Sequence, residues 1–117
     1  MTSNVSAANP SSEKLYLATL LSNLKVNEPF AAALDDDRGD VVLVLNAEGQ
    51  VVAFPDRCSH ADVPLSAGSC SHGEIECPAH GARFSLATGA VTCAPAVAPL
   101  KKLAVEIRGD EVWVEEA

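Results

Sequence analysis

Cys58-Ser59-His60, then residues 61–76, then Cys77-Pro78-Ala79-His80: this stretch decides how the 117-residue chain is read. Two short segments each offer one thiol and one imidazole. Sulfur combined with imidazole nitrogen suits zinc or an iron–sulfur cluster, whereas magnesium and calcium demand oxygen ligands. A zinc finger usually draws its two cysteines from one segment and its two histidines from another. Here the two types are interleaved, an order that lets each loop serve both metals of a binuclear centre.

A second Cys-x-His, Cys70-Ser71-His72, lies inside the same stretch. Only residues 73–76 separate it from Cys77, too few for two independent loops with a strand between them. Cys70 and His72 are therefore read as non-ligands in the segment that connects the two ligand loops.

The flanking residues extend the pattern. Cys58-Ser59-His60-Ala61-Asp62-Val63-Pro64-Leu65 followed by Gly68, and Cys77-Pro78-Ala79-His80-Gly81-Ala82-Arg83-Phe84, resemble the first and second ligand loops of the Rieske family. Thr88-Gly89, Pro95 and Pro99-Leu100 resemble the segment that follows them. The similarity runs from near Glu13 to Val114 and is to the Rieske ferredoxins that serve bacterial aromatic-ring dioxygenases. In a Rieske centre two cysteines hold one iron and two histidines the other. The resemblance thus implies one [2Fe–2S] cluster, with Cys58 and Cys77 on the inner iron and His60 and His80 on the outer one.

The same resemblance implies a fold and a role. The fold is an antiparallel β-sandwich or barrel-like basal domain carrying a small inserted cluster-binding subdomain, residues of about 57–95. The role is that of an electron carrier without catalytic residues or a small-molecule substrate. It would take single electrons from a flavin-containing NAD(P)H reductase and pass them to the terminal oxygenase of a multicomponent dioxygenase. A terminal oxygenase itself needs a second iron held by two histidines and a carboxylate, and only His72 would remain for it. Two alternatives stay open: the small Rieske-like subunit of an assimilatory nitrite reductase, and a zinc-stabilised β module with an interaction role.

Ligand neighbours carry an expectation about potential. High-potential members of the family have an extra cysteine in each loop, forming a bridge; Val63 and Ala79 stand at those positions. Those members also place hydroxyls where this chain has Ala82 and Phe84. Fewer hydrogen bonds to sulfur leave the reduced cluster less stabilised, so the potential is expected at the lower end of the family's span, roughly -150 mV. Asp62 and Arg83, beside the ligands, are read as local ion-pairing residues.

Charge and composition agree with this class. A formal net charge of -8 argues against nucleic acid and anionic membrane surfaces and suits docking to basic patches on protein partners. Met1 to Ser12 has neither a basic start nor an apolar run, and no stretch reaches the length that spans a bilayer. A cytoplasmic protein is expected, and there Cys70 and Cys93 are read as free, largely buried thiols rather than a disulfide.

The rest of the chain reads as all-β. Residues 1–12 are a polar, disordered tail, and residues 13–117 a single domain. Leu15 to Leu20 suits a strand or a helix; Phe30 to Leu34 suits a strand, ended by the charged turn Asp35-Asp36-Asp37-Arg38-Gly39-Asp40. Val41 to Leu45 and Val51 to Phe54 form a hairpin across Glu48-Gly49. Ile75-Glu76 and Ala82 to Ser85 flank the second ligand loop. A final hairpin joins the alternating run Leu103, Val105, Ile107 to Val112-Trp113-Val114 through Gly109-Asp110.

Overall fold

The computed structural model describes residues 15–34, 39–58, 63–78, 81–93 and 98–116. The tail of residues 1–12, the acidic run Asp35 to Arg38, and Pro95 lie outside them. Among the described residues ten short strands make three antiparallel sheets. Strands β1 (Leu15–Leu20), β9 (Val105–Arg108) and β10 (Glu111–Glu115) form the first, in the order β1-β10-β9. Strands β2 (Phe30–Ala33), β3 (Asp40–Leu45) and β4 (Val51–Pro55) form the second in sequence order. The third has four strands, β5 (Ser69–Ser71), β6 (Glu74–Glu76), β7 (Arg83–Ser85) and β8 (Val91–Cys93), also in sequence order.

The run Val41-Val42-Leu43-Val44 explains how these sheets stack. Side chains alternate across a strand, so a run apolar at every position fits a strand covered on both faces. All four residues are fully buried. Val41 and Leu43 join Val112 and Val114 in one core, whereas Val42 and Val44 join Leu65, Ile75 and Phe84 in a second. Strand β4 divides likewise, with Ala53 in the first core and Val52 and Phe54 in the second. The second sheet is therefore a middle layer. One core lies between it and the sheet of β1, β9 and β10; the other lies between it and the four-stranded sheet.

Turn chemistry sets the registers. Between β3 and β4 the Asn46 side chain accepts from the Glu48 and Gln50 amides at 3.0 and 2.8 Å, and Gly49 adopts φ 86°. That conformation comes without a side-chain penalty only for glycine, so the expected Glu48-Gly49 turn has its physical basis. Between β5 and β6 the two-residue turn is His72-Gly73, with φ of 54° and 76°. Positive φ at both positions is the hairpin geometry that matches strand twist.

Several expectations are refined. Leu15–Leu20 is a strand, paired along its length with β10 apart from an irregularity between Leu17 and Thr19. Strands β5 and β8 were not anticipated; each is three residues long and carries a single residue turned toward the core. The run Leu103, Val105, Ile107 does not stay buried: Leu103 is in the core, Val105 is half-buried and Ile107 is 43% exposed. This strand leaves the core as it approaches its turn. Among the described residues no helix is long and apolar enough to cross a membrane.

Candidate metal centre

Two of the four expected ligands, Cys58 and Cys77, are described; His60 and His80 lie outside the described residues, as do Asp62 and Ala79. Both cysteines are buried, at 2% and 0% exposure, and both belong to the core between the middle layer and the four-stranded sheet. Strand β4 delivers the chain to Cys58 and strand β6 delivers it to Cys77. The thiols thus come from different sheets and meet in one apolar core.

The loops that follow them are closed in the same way. The Cys58 amide donates to the Val63 carbonyl at 3.0 Å, and the Cys77 amide donates to the Ala82 carbonyl at 2.7 Å. Each bond spans five residues, and each span contains one of the expected histidines. A side-chain contact lies outside each backbone bond. At the first loop both oxygens of Asp56 accept from Ser66, from its amide at 2.7 Å and from its hydroxyl at 2.6 Å. At the second loop Arg83 donates to Glu76 at 3.1 Å across the last registered pair of the β6–β7 hairpin, and to Glu74 at 3.1 Å. Arg83 thus takes the local ion-pairing role read from its position. Hydrogen bonds from Thr92 and then from Arg83 hold the Glu74 carboxyl below the usual carboxylate range.

Chain segments on either side fix the loops to the core. Leu65, fully buried, sits in a single 3-10 turn, Leu65–Ala67, that carries the chain out of the first loop. Gly81, at φ 74°, turns the chain out of the second. Downstream, the Leu100 amide donates to the Gly89 carbonyl at 2.8 Å, and a methyl group at Gly89 would stand 2.4 Å from the Leu100 carbonyl oxygen. The Thr88-Gly89 and Pro99-Leu100 elements are thereby held together.

The second Cys-x-His divides between the core and the surface. His72 is exposed at the tip of the β5–β6 turn. Cys70 leans against the core, where burial pushes its thiol up to about 11. Cys70 and Cys93 are free thiols, on β5 and β8, the two outer strands of the four-stranded sheet. Three strand spacings separate them, about 14 Å, against a limit of about 7 Å between the α-carbons of a disulfide. The expectation that both are largely buried holds only for the core-facing Cys70. Cys93 is exposed, because it lies across from Arg83 on the outward face of an edge strand.

The donor chemistry fits an iron–sulfur cluster. Two thiols buried in an apolar core suit a soft metal centre rather than a hard cation. Ala82 and Phe84 are both fully buried and supply no hydroxyl; Val63 packs against the core where a bridging cysteine would stand. Among the described residues no group of three or more His, Cys, Asp or Glu side chains could hold a metal ion. Sequence reasoning missed the Asp56–Ser66 contact and the part played by Glu74. The available signal was a carboxylate just before each cysteine, at Asp56 and Glu76.

Known proteins are similar to this chain over most of its length. The family model for the Rieske [2Fe-2S] domain matches residues 14–104. The 3-phenylpropionate/cinnamic acid dioxygenase ferredoxin subunit of Escherichia coli (strain K12) is 35% identical over 88 residues, covering 74% of this chain and 83% of that protein. The ferredoxin of carbazole 1,9a-dioxygenase from Nocardioides aromaticivorans IC177 superimposes with a TM-score of 0.79 at 33% identity, covering 88% of this chain and 98% of that one. A chain from the complex of reduced oxygenase and oxidized ferredoxin in carbazole 1,9a-dioxygenase gives a TM-score of 0.78 at 26% identity, over 86% and 92%. These matches replace the structural-zinc alternative with a Rieske-type [2Fe–2S] cluster as the cofactor of this fold. With residues 14–104 matched and its relatives covered along most of their lengths, this chain belongs to the Rieske [2Fe–2S] family.

Proposed function

We infer that this protein is the ferredoxin of a multicomponent aromatic-ring dioxygenase, a non-catalytic cytoplasmic carrier that docks in turn with a flavin-containing reductase and a terminal oxygenase. The observation that carries this reading is the pair of matched loops. Cys58 and Cys77 lie in one core, and the amide of each is bonded to the carbonyl five residues on. In this reading Cys58 and Cys77 hold the inner iron and His60 and His80 the outer one. When bound, the cluster supplies reversible one-electron chemistry.

The chain's own residues do the rest. The backbone bonds and the Asp56–Ser66 and Arg83–Glu76 contacts tie together the chain segments that flank the two ligand loops. Leu65, Phe84 and Val42 exclude water from the cysteine side. The acidic balance of the chain, -8, favours transient docking to basic partner surfaces. Residues 13–117 act as one domain in which residues of about 57–95 form the cluster-bearing part, seated on β3 and β4. Sequence relatives that are dioxygenase ferredoxin subunits support this role, as does the structural match to a ferredoxin–oxygenase complex.

An anaerobic redox titration followed by electron paramagnetic resonance tests the proposal. A rhombic signal appearing on one-electron reduction at low potential, nearly independent of pH around neutrality, is the expected result. No such signal, with zinc found by metal analysis, would overturn it.

A further inference from the structure

Strands β6 and β7 pair Glu74 with Ser85, Ile75 with Phe84 and Glu76 with Arg83. Ile75 and Phe84 are fully buried, so by alternation Glu74, Glu76 and Arg83 share the opposite face. Arg83 stands directly across from Glu76 and diagonally from Glu74, within reach of both. Its two terminal nitrogens are used separately, Nη1 on Glu74 and Nη2 on Glu76, each at 3.1 Å. The trio carries a net charge of one negative unit. Its place in the chain matters as much as its geometry: Glu76 immediately precedes Cys77, and Arg83 immediately follows Ala82, the residue whose carbonyl holds the Cys77 amide.

We propose that Glu74, Arg83 and Glu76 form an ion-paired clasp that positions the second ligand loop and sets the reduction potential through its net charge. The inference rests on the cluster assignment above. A Rieske cluster gains a full negative charge on reduction. Carboxylates at the base of its ligand loop oppose that electron and a guanidinium favours it. Partial exposure of the three side chains, 28–37%, weakens the effect without changing its sign. Arg83 therefore acts on the cluster through charge and loop geometry rather than by ligation.

The test compares reduction potentials of the iron-loaded protein, at neutral pH and low salt, for the natural chain and four variants. Arg83→Gln leaves two uncompensated carboxylates and is expected to lower the potential. Glu74→Gln and Glu76→Gln each remove a negative charge and are expected to raise it. Arg83→Lys keeps the charge and should restore the natural potential, with the resonance signal unaltered. High salt should shrink all the shifts. A clasp that served only to hold the fold would move the three neutralising variants the same way, or not at all, and either result would overturn the proposal. If Arg83→Gln fails to retain iron, Glu74→Gln decides, since it leaves the Arg83–Glu76 pair in place. Absence of one-electron reduction in the natural chain would sink the electron-carrier reading. A normal natural chain with the variants out of order would sink only the clasp.

Discussion

Gly68 lies so close to Glu76 that a methyl group built on its α-carbon would stand 1.9 Å from the Glu76 carbonyl oxygen. Gly68 ends the turn that leaves the first ligand loop, and Glu76 immediately precedes the cysteine of the second. Its backbone torsions, φ -89° and ψ -153°, are extended, so space rather than conformation requires glycine here. Gly68→Ala should force the two loops apart and cost at least the ~1–3 kcal/mol typical of overpacking. Iron and sulfide content per chain, with thermal denaturation, checks this; full loading at unchanged stability would contradict the close approach.

Ser66→Ala removes the hydroxyl that donates to Asp56 at 2.6 Å and leaves the backbone bond to the same carboxylate. A hydrogen bond to a charged group at a partly buried site predicts a loss of about 1–2 kcal/mol. Denaturant unfolding measures it. Asp56→Ala, which removes both bonds, should cost more than Ser66→Ala.

Phe84→Tyr should raise the reduction potential. Phe84 is fully buried two residues after Ala82, where a hydroxyl could donate to a ligand sulfur. A bond about 1 kcal/mol stronger in the reduced state is worth about 40 mV for one electron. A titration that shows no rise would mean that the hydroxyl does not reach sulfur.

The two remaining thiols should react differently. Cys93 is exposed, whereas Cys70 is half-buried with its thiol pushed up to about 11 by desolvation. Alkylation of the folded protein near pH 8 is expected to modify Cys93 and spare Cys70, with both modified after denaturation. A mass showing a bond between them would contradict their places on opposite edges of the sheet.

Cys70 also predicts an alkaline limit. Its folded value, about 11, lies above the ordinary 9.0, so its contribution to stability is complete below pH 9. That contribution is lost as pH rises towards 11. Cys70→Ala should therefore show a flatter decline in stability across that window than the natural chain. Parallel declines would place the alkaline loss elsewhere.

The proposed ligand set rests on the amino-acid order, and of its members the structure describes the two cysteines. Cys58-Ser59-His60 and Cys77-Pro78-Ala79-His80 announce themselves because ligation demands particular atoms at particular spacing, and His72 is set aside because too few residues follow it. The carbonyls of Val63 and Ala82 that close the loops cannot be read in the same way, since every residue carries one. The longer strands are legible through their apolar runs, whereas β5 and β8 draw their stability from pairing with β6 and β7 rather than from their own composition. The exposure of Cys93 follows from its place on the outward face of its strand, opposite Arg83, which composition does not encode.

Strand β3 gives Val42 and Val44 to the core that holds the two cysteines, and Val41 and Leu43 to the other. The ligand-bearing segment is therefore not transplantable by itself. Moved to another scaffold without β3 and β4, it would present Leu65, Ile75, Phe84 and Leu86 to water as an adhesive face. A graft meant to conduct electrons must bring its floor with it.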